Sequence, residues 1–379
     1  MEMLSTQTVE SALHSAVEVE IRSHVDPDYW NDIVRTYSHG GFLDTSNRFD
    51  EFIKCHPDTK MYYLIGHKNA REVGWMAFCE TYHGHDIVTL KSHLRPLKPI
   101  CERTMRTFDC FTVPMVADDV EEGEIVTALI DAAENLARER GVFQMVHLRY
   151  PAPGRKPAPG LSQDDFGSRS YKSLRHGTYL IDLSVGEEVL WKGLKREART
   201  GVRKAAKQGL SVRLGQGEKD IRLFHEIFIE NRVRDSQKGM PRPLYSYKIM
   251  HDYIQDLSRL GLLRLFFAEK DGEVGSCTIV KNFNGRAMFN NHARSNKWYE
   301  GKYHDGDLLC WEMIKWSQQQ GYSRFDMTGF DADPANDRQL GIKRFKSKWG
   351  GECVYYNFYS KVFGEKRNAL LGLARRVLR

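Results

Sequence analysis

The chain has 379 residues, 41% of them apolar and 28% charged, with a net charge of +6. That composition excludes a collagen-like, coiled-coil or largely disordered chain, and the length suggests two or three domains. Seven cysteines (55, 79, 101, 110, 277, 310 and 353) are scattered with no CxxC pair, which argues against a disulfide scaffold or zinc ribbon and for a reducing cytoplasm.

In chain order, Met1 to Ser23 carries Glu2, Glu10, Glu18 and Glu20 and no apolar core, so it does not read as a secretory signal. No apolar run approaches the ~20 residues that span a bilayer. Met61 to Ile65 and Trp75 to Phe78 flank a polar turn and predict a β-hairpin. His83-Gly84-His85 reads as a turn; without a third ligand it does not make a metal site, and none is expected. From Glu124 to Arg140, Ile125, Ala128, Leu129, Ala132, Ala133 and Leu136 recur at helical spacing. Gly141 stops that helix, and Val142 to Leu148 reads as a strand.

Pro151 to Gly177 holds four prolines within nine residues and is expected to be an irregular connection or a lid. Further on, the first pattern returns. Leu263 to Ala268 and Cys277 to Val280 flank Asp271-Gly272, a strong hairpin signal. Asp307 to Gln320 is helical, Gly321 stops it, and Tyr322 to Met327 is a strand. Helix, Gly and strand thus recur 180 residues apart, as two copies of one α/β unit.

Charge is uneven. Arg169 to Arg213 has 11 Lys/Arg against 4 Asp/Glu, and Pro334 to Arg379 has 11 against 3. Two basic segments on an acidic body suit a phosphate-bearing partner or an anionic membrane surface; the alternative is two solvated helix faces.

Trp191, Leu194, Arg199, Val202, Arg203, Lys204, Ala205 and Gly209 form a run close to W-x-x-L-x(4)-R-x-x-x-R-K-A-x(3)-G. Phe224 and Phe228 follow on a helix, then Arg242, Tyr245 and Tyr247. Phe325-Asp326-Met327-Thr328-Gly329 ends a strand, and Gly341, Phe345, Lys346, Trp349 and Gly350 close the pattern. In order and spacing the chain resembles the Fem-type (FemABX) aminoacyl- and peptidyltransferases and related GNAT-fold acyltransferases. The resemblance is good from Thr178 to Phe363 and looser from Ile33 to Tyr150.

That resemblance implies an α/β (α+β) fold of tandem GNAT-like (acyl-CoA N-acyltransferase) domains with mixed β-sheets. The expected parts are residues 1–150, a Pro/Gly-rich connection 151–177, a second domain 178–365 and a basic amphipathic helix 366–379. It implies transfer of an aminoacyl group, from aminoacyl-tRNA, to the amine of a small-molecule or muropeptide-like acceptor, with no tightly bound cofactor. An acyl-CoA-dependent N-acyltransferase of polysaccharide, lipid or natural-product assembly is the alternative enzyme. A non-catalytic RNA- or membrane-binding module is the alternative of another class. The expected place is the cytoplasm, at the inner face of a membrane if 366–379 lies on one.

Coenzyme A users of this fold hold its pyrophosphate on a G-x-G-like loop and the N-terminus of the central helix. Here Thr112 to Gly123 is rich in Asp and Glu, and Trp298 to Asp307 has no G-x-G, which favours charged tRNA as donor.

The resemblance puts Lys346 at the reacting centre, as a cation for the developing oxyanion, or at donor phosphate; Asp326, ending its strand beside the cleft, would accept or orient the attacking amine's proton, the alternative being an Asp that caps a turn. Arg242, Tyr245, Tyr247 and Phe345 would bind the acceptor, and Arg199, Arg203, Lys204 and Lys343 the donor's phosphates. Phe345 and Lys346 are expected on extended backbone, facing opposite ways. His292 and His304 are spare general-base candidates.

Overall fold

The computed structural model describes residues 17–38, 41–56, 59–82, 96, 98–237 and 244–364. The first half supplies β1 (Glu18–Arg22), β2 (Lys60–Lys68), β3 (Arg71–Tyr82), β4 (Arg106–Cys110), β5 (Met115–Val116) and β6 (Gln144–Tyr150). The second supplies β7 (Lys172–Asp182), β8 (Ser211–Leu214), β9 (Leu263–Lys270), β10 (Glu273–Phe283), β11 (Arg286–Arg294), β12 (Arg324–Asp326), β13 (Phe330–Asp331) and β14 (Glu352–Val362). Both hairpins fold as read. Their turns, Asn69-Ala70 and Asp271-Gly272, take the positive φ that a two-residue hairpin turn demands.

The strand order is β1-β2-β3-β4-β6-β14-β7-β12-β11-β10-β9-β8, one continuous sheet. It reads the same from either end. β1 to β4 are mutually antiparallel, β4 and β6 are parallel, and β6 and β14 are antiparallel. From the other edge, β8 to β11 are antiparallel, β11 and β12 parallel, and β12 and β7 antiparallel. Each parallel pair is bridged by the helix the periodicity located, Glu122–Glu139 or Asp305–Gln319. Both helices end in a glycine at positive φ, Gly141 or Gly321. The fold is thus a tandem of GNAT-like units with mixed sheet.

The central pair, β14 and β7, crosses the linear boundary expected between the halves. β14 comes last in the chain yet pairs with β6, in register Asn357↔Tyr150, while β7 pairs with β12. Each half's sheet therefore closes on the strand that chain order would give to the other: β7 follows β6 yet closes the second half, and β14, the last strand, closes the first. The connection is also less irregular than its prolines suggest. A capping box on Ser162 and Asp165 starts the helix Gln163–Ser168, and β7 begins at Lys172, not after Gly177.

Helices 217–237 and 247–259 cover one face of the second half and share a core with Trp30, Phe42 and Phe49 of the first. The other face carries a separate core under helices 187–193, 196–207 and 305–319. Strand alternation sends Phe325 into this second core and Asp326 to the opposite face. The motif expected as extended backbone is instead a helix, Asp337–Ser347, capped by the Asn336 side chain on Gln339 N–H. Phe345 and Lys346 therefore lie about 100° apart on a helix. Residues 366–379, read as an amphipathic helix, lie outside the described residues.

Candidate active site

β11 and β12 stay paired for only three residues, Arg286↔Arg324, Ala287↔Phe325 and Met288↔Asp326. Beyond that the backbone turns away through Thr328, which holds a positive φ of 60°. A cavity of about 80 Å³ opens at the divergence, lined by Asp326, Thr178, Thr328, Arg286 and Tyr356, with Arg149 and Gly41–Leu43 from the first half.

Asp326 Oδ1 accepts from the Thr178 hydroxyl and from Thr328 N–H at 2.7 Å. Among the described residues both of its hydrogen bonds fall on Oδ1, which leaves Oδ2 to take a proton. Burial pushes the carboxyl above the ordinary carboxylate range; the Thr178 and Thr328 bonds and the Lys346 and Arg149 charges oppose that. Tyr356, also buried, has its hydroxyl pushed up to about 12. Burial lowers the Arg286 guanidinium, with Arg324 beside it adding to the effect. Arg149 is 6% exposed and donates to Asp44 Oδ1 at 2.8 Å and to Phe111 O at 2.6 Å.

Lys346 does not face the cleft as a spare cation. Its Nζ donates to Thr328 O at 3.0 Å, Thr328 Oγ1 at 3.0 Å and Gly329 O at 2.7 Å. An ammonium has three protons, and all three are engaged. Burial lowers its pKa to about 8. Lys346 thus ties down the Thr328–Gly329 turn beside Asp326.

The other expected residues divide. Lys343 donates to Ala332 O at 2.6 Å and Arg199 to Lys192 O at 3.0 Å, so each ties part of its head group to nearby backbone. Arg203 lies over Trp191 at 5.5 Å with its residue exposed, and Lys204 is exposed beside it. Phe345 lines a groove of about 440 Å³ with Lys195, Arg344, Lys348 and Glu197. This groove joins the two basic segments, because Lys195 N–H bonds to Lys348 O at 2.9 Å. Lys348 itself is paired with Asp307.

Tyr245 lines a separate cavity of about 340 Å³ between the halves, with Arg48, Arg232 and the Lys281–Glu51 pair at 2.5 Å. Tyr247 sits under Arg222 at 4.4 Å with its hydroxyl buried. Arg242 lies outside the described residues, as do His83 and His85. His292 and His304 stand off the cavity, 3.7 Å from Asp305 and 3.5 Å from Asp307. Sequence reasoning missed Thr178, Arg149 and Tyr356. A charged residue inside the apolar strand 144–150 was the one signal available for Arg149.

Both helix ends at which a pyrophosphate would sit are filled by the chain. At helix 305–319, Asp305 is fully buried and takes Arg294 at 2.8 Å, and a Cβ on Gly201 would fall 1.8 Å from Asp307 Oδ2. At helix 122–139, a Cβ on Gly123 would meet Pro159 O at 2.8 Å. Tyr150 ties the two together, accepting from Ala158 N–H at 2.9 Å and donating to Glu122 at 3.1 Å. Among the described residues no group of three or more His, Cys, Asp and Glu could hold a metal, and no helix is long and apolar enough to cross a membrane.

Residues 192–347 match the family model of the acetyltransferase (GNAT) domain. The matched stretch is thus similar to a GNAT-type acyltransferase domain, and the fold places a second GNAT-like unit ahead of it. Among solved structures the chain is similar to FemX, with a TM-score of 0.63 over 93% of this chain and 99% of FemX, at 13% identity. It is similar to a tandem GNAT protein from the clavulanic acid biosynthesis pathway, solved without AcCoA, at TM-score 0.54 and 13% identity over 92% of this chain and 99% of that one. L-PGS from Bacillus licheniformis follows at TM-score 0.51 and 12% identity, over 93% and 96%. At such identities the likeness is one of fold, and it bears out the Fem-type and GNAT resemblance at that level. No curated protein matches the chain by sequence.

Proposed function

We propose that this chain is a Fem-type aminoacyltransferase. It moves an aminoacyl group from aminoacyl-tRNA to an amine acceptor, and the reaction centre is the cavity at Asp326. The amine nitrogen attacks the ester carbonyl, the amide bond forms, and the ester C–O bond breaks. Asp326 Oδ2 takes a proton from the attacking nitrogen, and the departing ribose oxygen gains one. The raised pKa of Asp326 makes it a better base than an exposed carboxylate. Lys346 acts as a positioning residue through Thr328. The basic groove along Lys195, Arg344 and Phe345, with exposed Arg203 and Lys204 nearby, holds the donor's phosphates. The cavity at Tyr245, two residues before Tyr247, takes the part of the acceptor that lies beyond its amine. In the cell this is a cytoplasmic reaction, with residues 366–379 as the segment that meets a membrane face.

The observation that carries this reading is the filling of both helix N-termini, by Asp305 and by the Ala158–Pro159 segment, while the basic groove lies open. The test is transfer from mixed radiolabelled aminoacyl-tRNAs, run against a panel of acyl-CoA thioesters with cell extract as acceptor. Label should move from tRNA into an amide. Turnover of acyl-CoA with none from tRNA overturns the donor.

A further inference from the structure

The face that carries Asp326 does not end at the cavity. Along β7, Thr178, His176 and Leu174 alternate onto it, each about 6.6 Å from the last. Thr178 bonds Asp326, and Leu174 is 57% exposed. On β14, Phe358 stands between Leu174 and Arg149 in register. A trough therefore leads outward from the cavity over Tyr356 and Phe358, whose ring centroids are 5.5 Å apart.

At its rim is His147, two residues before Arg149 in β6. It sits in a bulge, where Val146 and His147 together face Ser360, and it holds a positive φ of 59°. Strained non-glycine backbone of this kind clusters at functional sites. Its Nδ1 lies 2.9 Å from Asp109 Oδ1, and its ring meets Phe358 edge-on at 5.8 Å. The side chain is 60% exposed, and among the described residues Nε2 has no partner. The Asp109 bond raises the imidazole pKa; partial desolvation by its neighbours and the Arg149 charge work against it. The other titratable groups on this face are His176, which feels His147, Asp331, 3.4 Å from His176 Nε2, Tyr356, and Lys172 at the outer end of β7.

An ammonium must shed two protons to become an amide nitrogen, and Asp326 accounts for one. We propose that the His147–Asp109 pair is a second catalytic base, which takes the first proton from the incoming acceptor ammonium at the rim of this trough. This rests on the amine-transfer reading above. Asp109 fixes Nδ1 as the donor, so Nε2 is the basic nitrogen. The ammonium N–H bond breaks, the proton goes to Nε2 and then to solvent, and the free amine moves inward to Asp326. Rings and carboxylates favour a cation here: the Phe358 and Tyr356 rings line the path, Asp109 and Asp331 stand behind the imidazoles, and the Arg149 charge is paired with Asp44.

The variants are His147→Asn, since asparagine tolerates positive φ, and Asp109→Asn. Transfer at pH 7 should fall about 100-fold, the lower end of general-base effects. The deficit should shrink about tenfold per pH unit toward pH 9, because solution then supplies free amine. A deficit that is equal at every pH, or none, overturns the proposal. A second measurement needs no turnover. The His147 ring of the full chain is followed by NMR against ethanolamine, with ethylene glycol as the neutral control. A cation at Nε2 should lower the ring's apparent pKa with ethanolamine alone; no change with either overturns the site. If wild type transfers from no donor, the transferase reading fails, and the ring titration still decides the ammonium site.

Discussion

Lys346→Met separates a clamp from a catalytic cation. Three hydrogen bonds to a charged group contribute about 1.5–3 kcal/mol each, so the turn at Thr328–Gly329 gains about 5–9 kcal/mol from Nζ. Burying that charge costs about 3 kcal/mol, from the fall of its pKa from 10.5 to about 8. The net loss on substitution is then about 2–6 kcal/mol, read as the shift of a urea unfolding midpoint. Transfer should fall about 100-fold as well, the scale of a 1 Å misplacement of a reacting group. The pH dependence has a definite sign. The unfolded lysine keeps its proton up to 10.5, whereas the folded one sheds it near 8. Between those values the unfolded state binds more protons, so stability rises with pH. The stability gap between wild type and Lys346→Met should therefore widen from pH 8 to 10.5, by up to about 3 kcal/mol. A variant of wild-type stability that has lost only turnover would refute the clamp and restore a direct catalytic charge. A gap that narrows over this range would refute the burial argument.

Asp326→Asn should lower transfer about 10²–10⁴-fold in a single-turnover assay while leaving stability at pH 7 unchanged or higher, since ionising the buried carboxyl opposes folding. For the same reason, wild-type turnover should fall on acidification at a pH above the ordinary carboxylate range. Lys195→Ala with Arg344→Ala should reduce the slope of log affinity against log salt for charged tRNA by about 1.4–1.8, as expected for two lost phosphate contacts. Asp305→Ala leaves Arg294 without its buried partner and should cost about 3–5 kcal/mol. Inorganic phosphate should recover part of that loss in a thermal melt, by filling the vacated helix end.

The sequence alone determined the local elements. Two Gly-terminated helices, two hairpin turns and the apolar periods around them are short-range facts, and each survives in the structure because its residues bury the same face they predict. The motif order from Trp191 to Gly350 was also legible, and with it the resemblance that the family match over 192–347 repeats. The placement of Asp326 off the apolar face followed from simple alternation with Phe325.

What only tertiary structure decided is who stands beside whom. The exchange of β7 and β14 across the centre depends on pairing between residues about 180 positions apart, and no local signal encodes it. That exchange brings Thr178 and Tyr356 to Asp326, and β6 brings Arg149 from the first half. Lys346 shows the same limit at one residue. Its neighbours Lys343, Arg344 and Lys348 made it look like part of a solvated basic turn or a free catalytic charge. Helix 337–347 instead rotates it inward, where two carbonyls and a hydroxyl take its three protons. A lysine's role is set by the partners that burial forces on it, and those come from elsewhere in the fold.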